Sequence, residues 1–407
     1  MKLITTTALA LVAAMAATPA VAQNKQAPAA EQAQAKVTPS KGALKALSEL
    51  QDAVQKNDVA NIPAKVAAAQ AVATTKEDKY LLGRLQLTAA IAAKDNAATS
   101  AAIDTMVGSG YLEPSKSAAL YVGLGGTYFN NKEYPLAAAA YQKAMALDPS
   151  NTEAPVFLGE SLFSQGQKAA AAAAFQRAIQ ARNSSATKAD EALLKRAVAV
   201  AYDAQSPIAM DLARQWVSAY PSPASWSDAI AIYSNLSGSD IEARLDLYRL
   251  MQATGSLKTG GQYAQFARAA AEQNNFNEAQ AVFDAGVAAK VVDPKSSDYS
   301  DLVQGLKAKP KATAADLETA TKQVTNGNAL VRIGDRYLAM GDQAKAIEVY
   351  KMAIAKPGTD VAVANLHLGM ALAKAGDKAG ATAAFNAVTG PRADVAKLWL
   401  TYVNQKA

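Results

Sequence analysis

Three short motifs could together carry acyl-transfer chemistry. Ser185 stands three residues before Lys188, the Ser-x-x-Lys form in which a lysine lies close to a nucleophilic serine. Tyr233-Ser234-Asn235 and Lys258-Thr259-Gly260 follow it along the chain. The chemistry requires Ser185 to begin a buried helix and Lys258 to lie on a sheet edge beside the substrate.

The elements around these motifs do not fit that chemistry. Motifs in this order are typical of penicillin-binding proteins and serine β-lactamases. Residues 250–265 indicate a helix, a glycine-bounded loop and a second helix, with no strand to hold Lys258. The intervals between the motifs are also short for that fold, and three-residue motifs with open positions recur by chance. We therefore predict that the chain is not an enzyme.

The single histidine and the acidic pairs also lack a predicted partner. His367 lies between Leu366 and Leu368, with no carboxylate one helical turn away to orient it. One histidine cannot build a metal site, so we predict a packing or surface role. The pair Glu242 and Asp246 is of the kind that exposed helix faces carry routinely.

Composition excludes several further classes of site. The chain has no cysteine, which rules out disulfides, thiol catalysis and cysteine-based zinc sites. The net charge is only +6, and the lysines are dispersed rather than clustered as a nucleic-acid interface requires. Lys307, Lys309 and Lys311 flank Pro310 in what we interpret as a solvated loop. We find no phosphate-binding glycine loop, and predict no cofactor, no metal and no nucleic-acid partner.

The N-terminus has the pattern of a secretory signal peptide over residues 1–22. Lys2 is followed by an apolar stretch, and Ala20-Val21-Ala22 forms a small-x-small cleavage site before Gln23. No later stretch is long enough and apolar enough for a membrane span. We therefore expect a periplasmic or secreted protein whose residues 23–40, rich in Gln, Ala and Pro, form a disordered leader.

A repeated pattern of small and bulky residues appears within the helical periodicity that comes after the leader. Leu124, Gly125 and Tyr128 have counterparts 34 residues downstream, as do Ala137 and Tyr141. The same set recurs near the C-terminus. Two antiparallel helices per period explain it, because a glycine on the first helix gives room for an aromatic ring on the second.

This pattern resembles the tetratricopeptide repeat family. The resemblance implies an all-α, right-handed superhelical solenoid of antiparallel helix pairs, with clear units at 118–151, 152–185, 327–361 and 362–395. The predicted repeat-packing residues are Tyr121, Leu124, Gly125, Tyr128, Ala137, Tyr141, Ala144, Leu158, Gly159, Leu162, Ala171, Phe175, Ala178, Gly334, Tyr337, Ala346, Tyr350, Ala353, Gly369, Leu372, Ala381 and Phe385.

The remaining segments match the repeat pattern less well. We predict degenerate helical hairpins over 41–117 and divergent ones over 186–326, including one at 294–326. The clear units occupy 118–185 and 327–395. The last segment, 396–407, has apolar residues on one face and is predicted to cap the exposed end of the array.

The resemblance also implies a concave face lined mainly by first helices. Some family members clamp a peptide carboxylate there with a lysine and an asparagine, and neither residue stands at those places in the four units. The predicted groove is instead largely apolar with scattered acids. Its residues are Val122, Phe129, Val156, Glu160, Phe163, Val331, Asp335, Leu338, Leu366 and Met370.

These observations predict a scaffold that binds protein or peptide segments in an apolar groove. Two alternatives remain open. The same face could close on a second copy of the chain, giving a homo-oligomer. The chain could also be an accessory subunit of a cell-wall or polysaccharide-processing enzyme system.

Overall fold

The computed structural model describes residues 37–185, 188–236 and 241–405. These residues form twenty-one α-helices and two short 3₁₀ turns, and none of them lies in a β-strand. The predicted all-α fold is therefore confirmed. No helix in this part of the chain is long and apolar enough to cross a membrane. The predicted signal peptide, residues 1–22, lies outside the described residues.

The chain divides into two compact units, of which the first ends at Leu193 and the second begins at Leu194. Four consecutive hairpins make up the first unit, each packed within itself and followed by the next. Its helices are α1 (Leu44–Gln55), α2 (Ile62–Val72), α3 (Lys76–Ala93), α4 (Asn96–Gly108), α5 (Pro114–Asn130), α6 (Tyr134–Leu147), α7 (Ala154–Ser164) and α8 (Lys168–Ser184).

The ordered chain of the first unit begins before residue 41. Val37 packs against the apolar cluster of α1 and α3. The backbone N–H and the side-chain hydroxyl of Ser40 both donate to the Asp78 carboxylate at 2.8 Å. Residues 37–40 therefore belong to the folded unit rather than to the leader that we assigned to 23–40.

Glycines on the first helices lie directly against aromatic rings of the second helices. A Cβ atom added at Gly125 would lie 2.6 Å from Tyr141 Cε1, and one added at Gly159 would lie 2.9 Å from Phe175 Cε1. Both rings are almost fully buried. Each hairpin thus closes to a helix separation that leaves no room for a side chain at the glycine.

The second unit contains the remaining helices. They are α9 (Glu191–Asp203), which begins three residues before the division, α10 (Ile208–Ala219), α11 (Pro223–Leu236), α12 (Ile241–Ala253), α13 (Gly260–Glu272), α14 (Phe276–Ala288), α15 (Ser300–Ala308), α16 (Ala314–Gln323), α17 (Gly327–Ala339), α18 (Gln343–Ile354), α19 (Val361–Lys374), α20 (Lys378–Asn386) and α21 (Ala393–Gln405).

The predicted hairpin at 294–326 has a different arrangement. Its two short helices pack mainly on other elements, α15 on α13 and α14, and α16 on α17. Helix α14 packs directly against α17, so the segment 294–326 does not form a layer between these two helices. Only Leu302 and Leu306 of α15 and Leu317 of α16 are buried. These two helices therefore contribute few apolar side chains to the core.

The C-terminal helix packs on the last helix pair and also on earlier helices of the second unit. It begins at Ala393 and packs on α20, but it also contacts α10, α12 and α19. Gln405 Nε2 donates to the Val217 carbonyl at 2.6 Å, and Trp399 Nε1 donates to the Asp246 carbonyl at 3.3 Å. Helix α21 therefore joins the early helices of the second unit to its last repeats.

Candidate functional site

In the first unit the predicted groove residues form an apolar face on α5 and α7. Val122 and Phe129 on α5, and Val156 and Phe163 on α7, are all half-buried. Phe129 packs edge-on against the Tyr134 ring at 5.4 Å between centroids, which fixes its position. The two helices contact each other, so these side chains form one surface, which we call the α5–α7 face.

A glycine on α5 leaves this face open. Gly126 lies four residues after Val122, on the same side of the helix. A Cβ added there would approach only the Tyr141 hydroxyl, at 4.0 Å. Unlike Gly125, Gly126 is therefore not required by packing within the hairpin. Glu160, one turn after Val156, adds a half-buried carboxylate on α7.

The corresponding residues of the second unit do not form an open groove, so that part of the groove prediction is wrong. Val331, Leu338, Leu366 and Met370 are each at most 6% exposed. Leu338 and Met370 line a cavity of about 120 Å³ together with Arg249 from α12 and Trp399 from α21, so other helices of the same unit lie beside these two residues. The second unit covers this surface with its own helices.

Asp335, which we also assigned to the groove, belongs instead to a buried cluster of charges. The cluster consists of Asp246 and Arg249 on α12, Glu278 on α14, Asp335 on α17 and His367 on α19. We call these five residues the charge cluster. They come from four helices of the second unit, and none of them is predicted to meet another by the repeat pattern.

Arg249 is the centre of the charge cluster. Its Nε and Nη2 donate to the two Glu278 carboxylate oxygens at 2.8 and 2.7 Å, a bidentate pair. Its Nη1 donates to Asp246 Oδ1 at 2.9 Å. Asn275 Nδ2 donates to Glu278 Oε2 at 2.9 Å, which completes the partners of that carboxylate. Arg249 thereby holds two buried carboxylates on different helices.

His367 lies between two carboxylates. Its Nε2 is 3.0 Å from Asp246 Oδ1, and its Nδ1 is 2.7 Å from Asp335 Oδ1. The Tyr350 hydroxyl also donates to Asp335 Oδ1, at 2.6 Å. No carboxylate lies one helical turn from His367 along α19, but two carboxylates on other helices orient it, and the sequence did not predict these partners.

The protonation of the charge cluster is a consequence of this packing. Burial alone would lower the pKa of His367, but the charges of Asp335 and Asp246 outweigh it and raise the pKa to about 10. Burial likewise would raise the pKa of Asp335, yet His367 and Arg249 hold it far below its usual range. Burial and the Asp335 charge raise the pKa of Tyr350 well above its ordinary value. At neutral pH, His367 is a cation between two anions.

We expect the stability of the second unit to fall as the pH rises from about 6.5 to about 10. The folded-state pKa of His367 lies above its unfolded value. Protonated His367 therefore stabilises the fold fully below about pH 6.5, and this stabilisation is lost as the pH rises to about 10. The charged groups facing it are Asp246, Arg249 and Asp335, and Tyr350 stays neutral across the window. Urea unfolding at a series of pH values measures the effect.

The variant His367→Gln serves as the comparison for this pH dependence. It retains two hydrogen-bonding ends but has no proton to lose in the window. Its stability should therefore decline much less between the same pH values. Equal slopes for the wild-type protein and the variant would show that His367 is not held as a cation in the folded state.

A cavity of about 160 Å³ adjoins the charge cluster within the second unit. Asp246, Arg249, Asp335 and His367 form its buried end, and Asn275 lines it as well. The acidic pair Glu242 and Asp246 was predicted to lie on an exposed face, but Asp246 is 1% exposed. One indication of this burial is present in the sequence, because Asp246 lies between two apolar residues, Leu245 and Leu247, that are themselves buried.

Ser185 and Thr259, which belong to two of the acyl-transfer motifs, lie at helix ends. Ser185 is the C-cap of α8 and donates to the Arg182 carbonyl at 2.9 Å, so it ends a helix rather than beginning one. Thr259 caps α13 through its side chain, and no strand carries Lys258 in the part of the chain that the structure describes. The positions required for serine chemistry are therefore not formed by these residues.

Comparisons with known proteins give one family and several solved structures. The tetratricopeptide repeat model matches residues 80–152, 122–187 and 331–395. No curated protein matches the chain significantly. The solved structures include the Naa15/Naa10 complex bound to HypK-THB, at 11% identity and a TM-score of 0.35, over 86% of this chain and 63% of that one. This chain thus spans less than two thirds of that chain's length.

Two further solved structures are also similar. The tetratricopeptide repeat domain of P58(IPK) is 9% identical with a TM-score of 0.23, and the match covers 90% of this chain and 99% of that one. The Cut9–Hcn1 hetero-tetramer of APC/C is 12% identical with a TM-score of 0.19, over 83% of this chain and 84% of that one.

Proposed function

This chain belongs to the tetratricopeptide repeat family, whose repeats form protein-interaction scaffolds, and we propose that its α5–α7 face binds an apolar segment of a protein partner. The observation that carries the proposal is a difference between the units. Val122, Phe129, Val156 and Phe163 remain half-buried, whereas the corresponding residues of the second unit are covered by its own helices.

The mechanism of binding is preorganisation. Phe129 is held by the Tyr134 ring, and the two helices that carry the face are fixed by the contacts of Gly125 and Gly159 with their rings. A partner segment therefore docks on side chains that lose little further freedom, which lowers the ordering cost of association. The absence of a lysine–asparagine clamp at the motif positions favours apolar side chains over a C-terminal carboxylate as the group recognised.

The compartment that we propose is the periplasm. The signal-peptide pattern of residues 1–22 supports export. A protein without cysteine is also suited to an oxidising compartment, because it has no thiol to form incorrect disulfides. Binding would then serve an assembly of the cell envelope, in which the chain acts as a scaffold rather than as an enzyme.

We expect the double substitution Phe129→Asp with Phe163→Asp to abolish partner binding. Each aromatic anchor at the centre of an interface typically contributes about 2 kcal/mol or more, so loss of both weakens binding beyond detection in a pull-down. The test is crosslinking of the full chain in its native compartment, followed by mass spectrometry of the captured proteins. Circular dichroism checks that the helical content of the variant is unchanged.

The matched control replaces two exposed apolar residues outside the face, Val59→Asp with Leu136→Asp. Their side chains are 64% and 50% exposed, so the control adds the same charge without touching the α5–α7 face. A partner that is retained by the control and lost from the face variant supports the proposal. Equal capture by both variants would contradict it. Concentration-dependent mass in ultracentrifugation, lost only in the face variant, would assign the face to self-association instead.

A further inference from the structure

Two cavities of the second unit lie along one surface between two groups of its helices. The cavity of about 160 Å³ is lined by α12 on one side and by α17 and α19 on the other. The cavity of about 120 Å³ is lined by α12 and α14 on one side and again by α17 and α19 on the other. We call this surface, with α12 and α14 on one side and α17 and α19 on the other, the seam. Arg249 lines both cavities, so they adjoin at this residue.

Close packing of helices across the seam is limited. Of the four helix pairs that can meet there, only α14 and α17 pack closely. Arg336 Nη2 of α17 adds a hydrogen bond to the Asn274 carbonyl, just before α14, at 3.3 Å. Within the hairpin of α17 and α18, by contrast, a Cβ added at Gly334 would lie 2.5 Å from Tyr350 Cε1. Separation at the seam therefore loses fewer dispersion contacts than separation within a hairpin.

The charge cluster divides into two sets, one on each side of the seam. Arg249 has its bidentate pair with Glu278 and its hydrogen bond to Asp246 on one side. On the other side, His367 lies 2.7 Å from Asp335. The contacts of the cluster that cross the seam are His367 with Asp246 at 3.0 Å and Arg249 with Asp335 at 3.7 Å, and the two cations lie 3.4 Å apart. Opening therefore breaks no bidentate pair, and it returns each set of charges to water with its own partners, which limits its cost.

Helix α21 is the element that holds the seam closed. It packs on α19 and α20, and also on α10 and α12, which precede the seam in the chain. Trp399 Nε1 donates to the Asp246 carbonyl of α12 at 3.3 Å, and Gln405 Nε2 donates to the Val217 carbonyl of α10 at 2.6 Å. The two sides can therefore separate only when α21 detaches from α10 and α12.

We propose that the second unit opens along the seam when α21 detaches from α10 and α12, and that opening exposes apolar residues which the closed form covers. Val331, Leu338 and Met370 line the two cavities and are at most 6% exposed. Val331 and Leu338 stand at the repeat positions of Val122 and Phe129. Opening therefore provides a second surface of the kind that the α5–α7 face presents. The seam lies within the second unit, so its opening does not depend on the proposed function of the first.

Thiol labelling of the folded full chain tests the opening. The chain has no cysteine, so a single introduced thiol gives the whole signal. Val331→Cys places it at the seam, whereas Val349→Cys places it on α18, where the valine is 2% exposed and lines neither cavity. We expect the seam thiol to react at least about tenfold faster, with little dependence on urea below the unfolding transition, because local opening exposes little surface. Equal rates with equal urea dependence would overturn the proposal.

Reagent size separates opening from access through the mouth of the cavity. Iodoacetamide and a bulky aromatic disulfide should be slowed by the same factor at Val331→Cys, relative to their rates with an unfolded peptide, if the seam opens. A factor that is much larger for the bulky reagent would show that the thiol is reached through the closed form, and the proposal would fail.

A substitution in α21 tests whether this helix controls the opening. Gln405→Ala in the Val331→Cys background should speed labelling about threefold or more, because it removes the hydrogen bond to α10. Lys397→Ala is the matched control, since this lysine pairs with Asp394 of the same helix, and it should leave the rate unchanged. The same rate in Gln405→Ala as in its control would contradict the proposal.

Discussion

Replacing Arg249 with methionine should destabilise the second unit by about 3–5 kcal/mol. Arg249 donates three hydrogen bonds to Glu278 and Asp246, and both carboxylates are buried. Without the guanidinium group, three carboxylates share the cluster with His367 alone. A buried charge that loses its partner costs far more than the pair itself contributes, since the remaining charge cannot return to water.

Urea unfolding followed by tryptophan fluorescence measures this effect in the second unit alone. All three tryptophans of the chain, Trp216, Trp226 and Trp399, lie in that unit and are buried. Arg249→Lys should give an intermediate loss, because an ammonium group keeps the charge but not the bidentate geometry. Arg244→Met, at an exposed arginine on the same helix as Arg249, should change the free energy of unfolding by no more than about 0.5 kcal/mol. A loss below about 1 kcal/mol for Arg249→Met would show that the cluster does not depend on its cation.

Replacing Phe175 with alanine should destabilise the first unit by about 3–5 kcal/mol. The ring is fully buried and lies against Gly159, where the two helices of its hairpin approach closely. Its removal leaves a cavity between rigid helices that cannot collapse around it. Thermal and urea unfolding monitored by circular dichroism measure the loss, which should appear without a change in the tryptophan fluorescence of folded protein.

A second substitution tests whether the glycine and the ring act as a pair. Gly159→Ala should destabilise the wild-type protein, since its Cβ would lie 2.9 Å from Phe175 Cε1. In the Phe175→Ala background the same change should stabilise by up to about 1 kcal/mol, because the space is then empty and alanine is the better helix former. The same sign in both backgrounds would contradict a direct contact between the glycine and the ring.

The repeat architecture could be predicted because its contacts are local. Gly125 meets Tyr141 and Gly159 meets Phe175, sixteen residues apart in each case, within one hairpin. A periodic sequence records such contacts directly, since the same two positions recur in every unit. The family model matches residues 80–187 and 331–395, which contain the hairpins with these glycines.

The groove could be predicted only in part. The same position of the first helix is apolar both where it stays accessible, as at Phe129, and where it is covered, as at Leu338. Covering depends on α21, which packs back on α10 and α12; Trp399, for example, donates to the carbonyl of Asp246, which lies 153 residues earlier. Periodicity contains no information about such a contact, because it occurs once.

The sequence alone determined that this chain is an array of helical hairpins, since neighbours along the chain fix each hairpin and an interval of 34 residues repeats them. Only the tertiary structure decided that Asp246, Asp335 and His367 share one buried cluster. Their carboxylates and imidazole are 2.7–3.0 Å apart although up to 121 residues separate them. Polar side chains on separate repeats become partners only when packing removes them from water, and that burial is a property of the assembled unit.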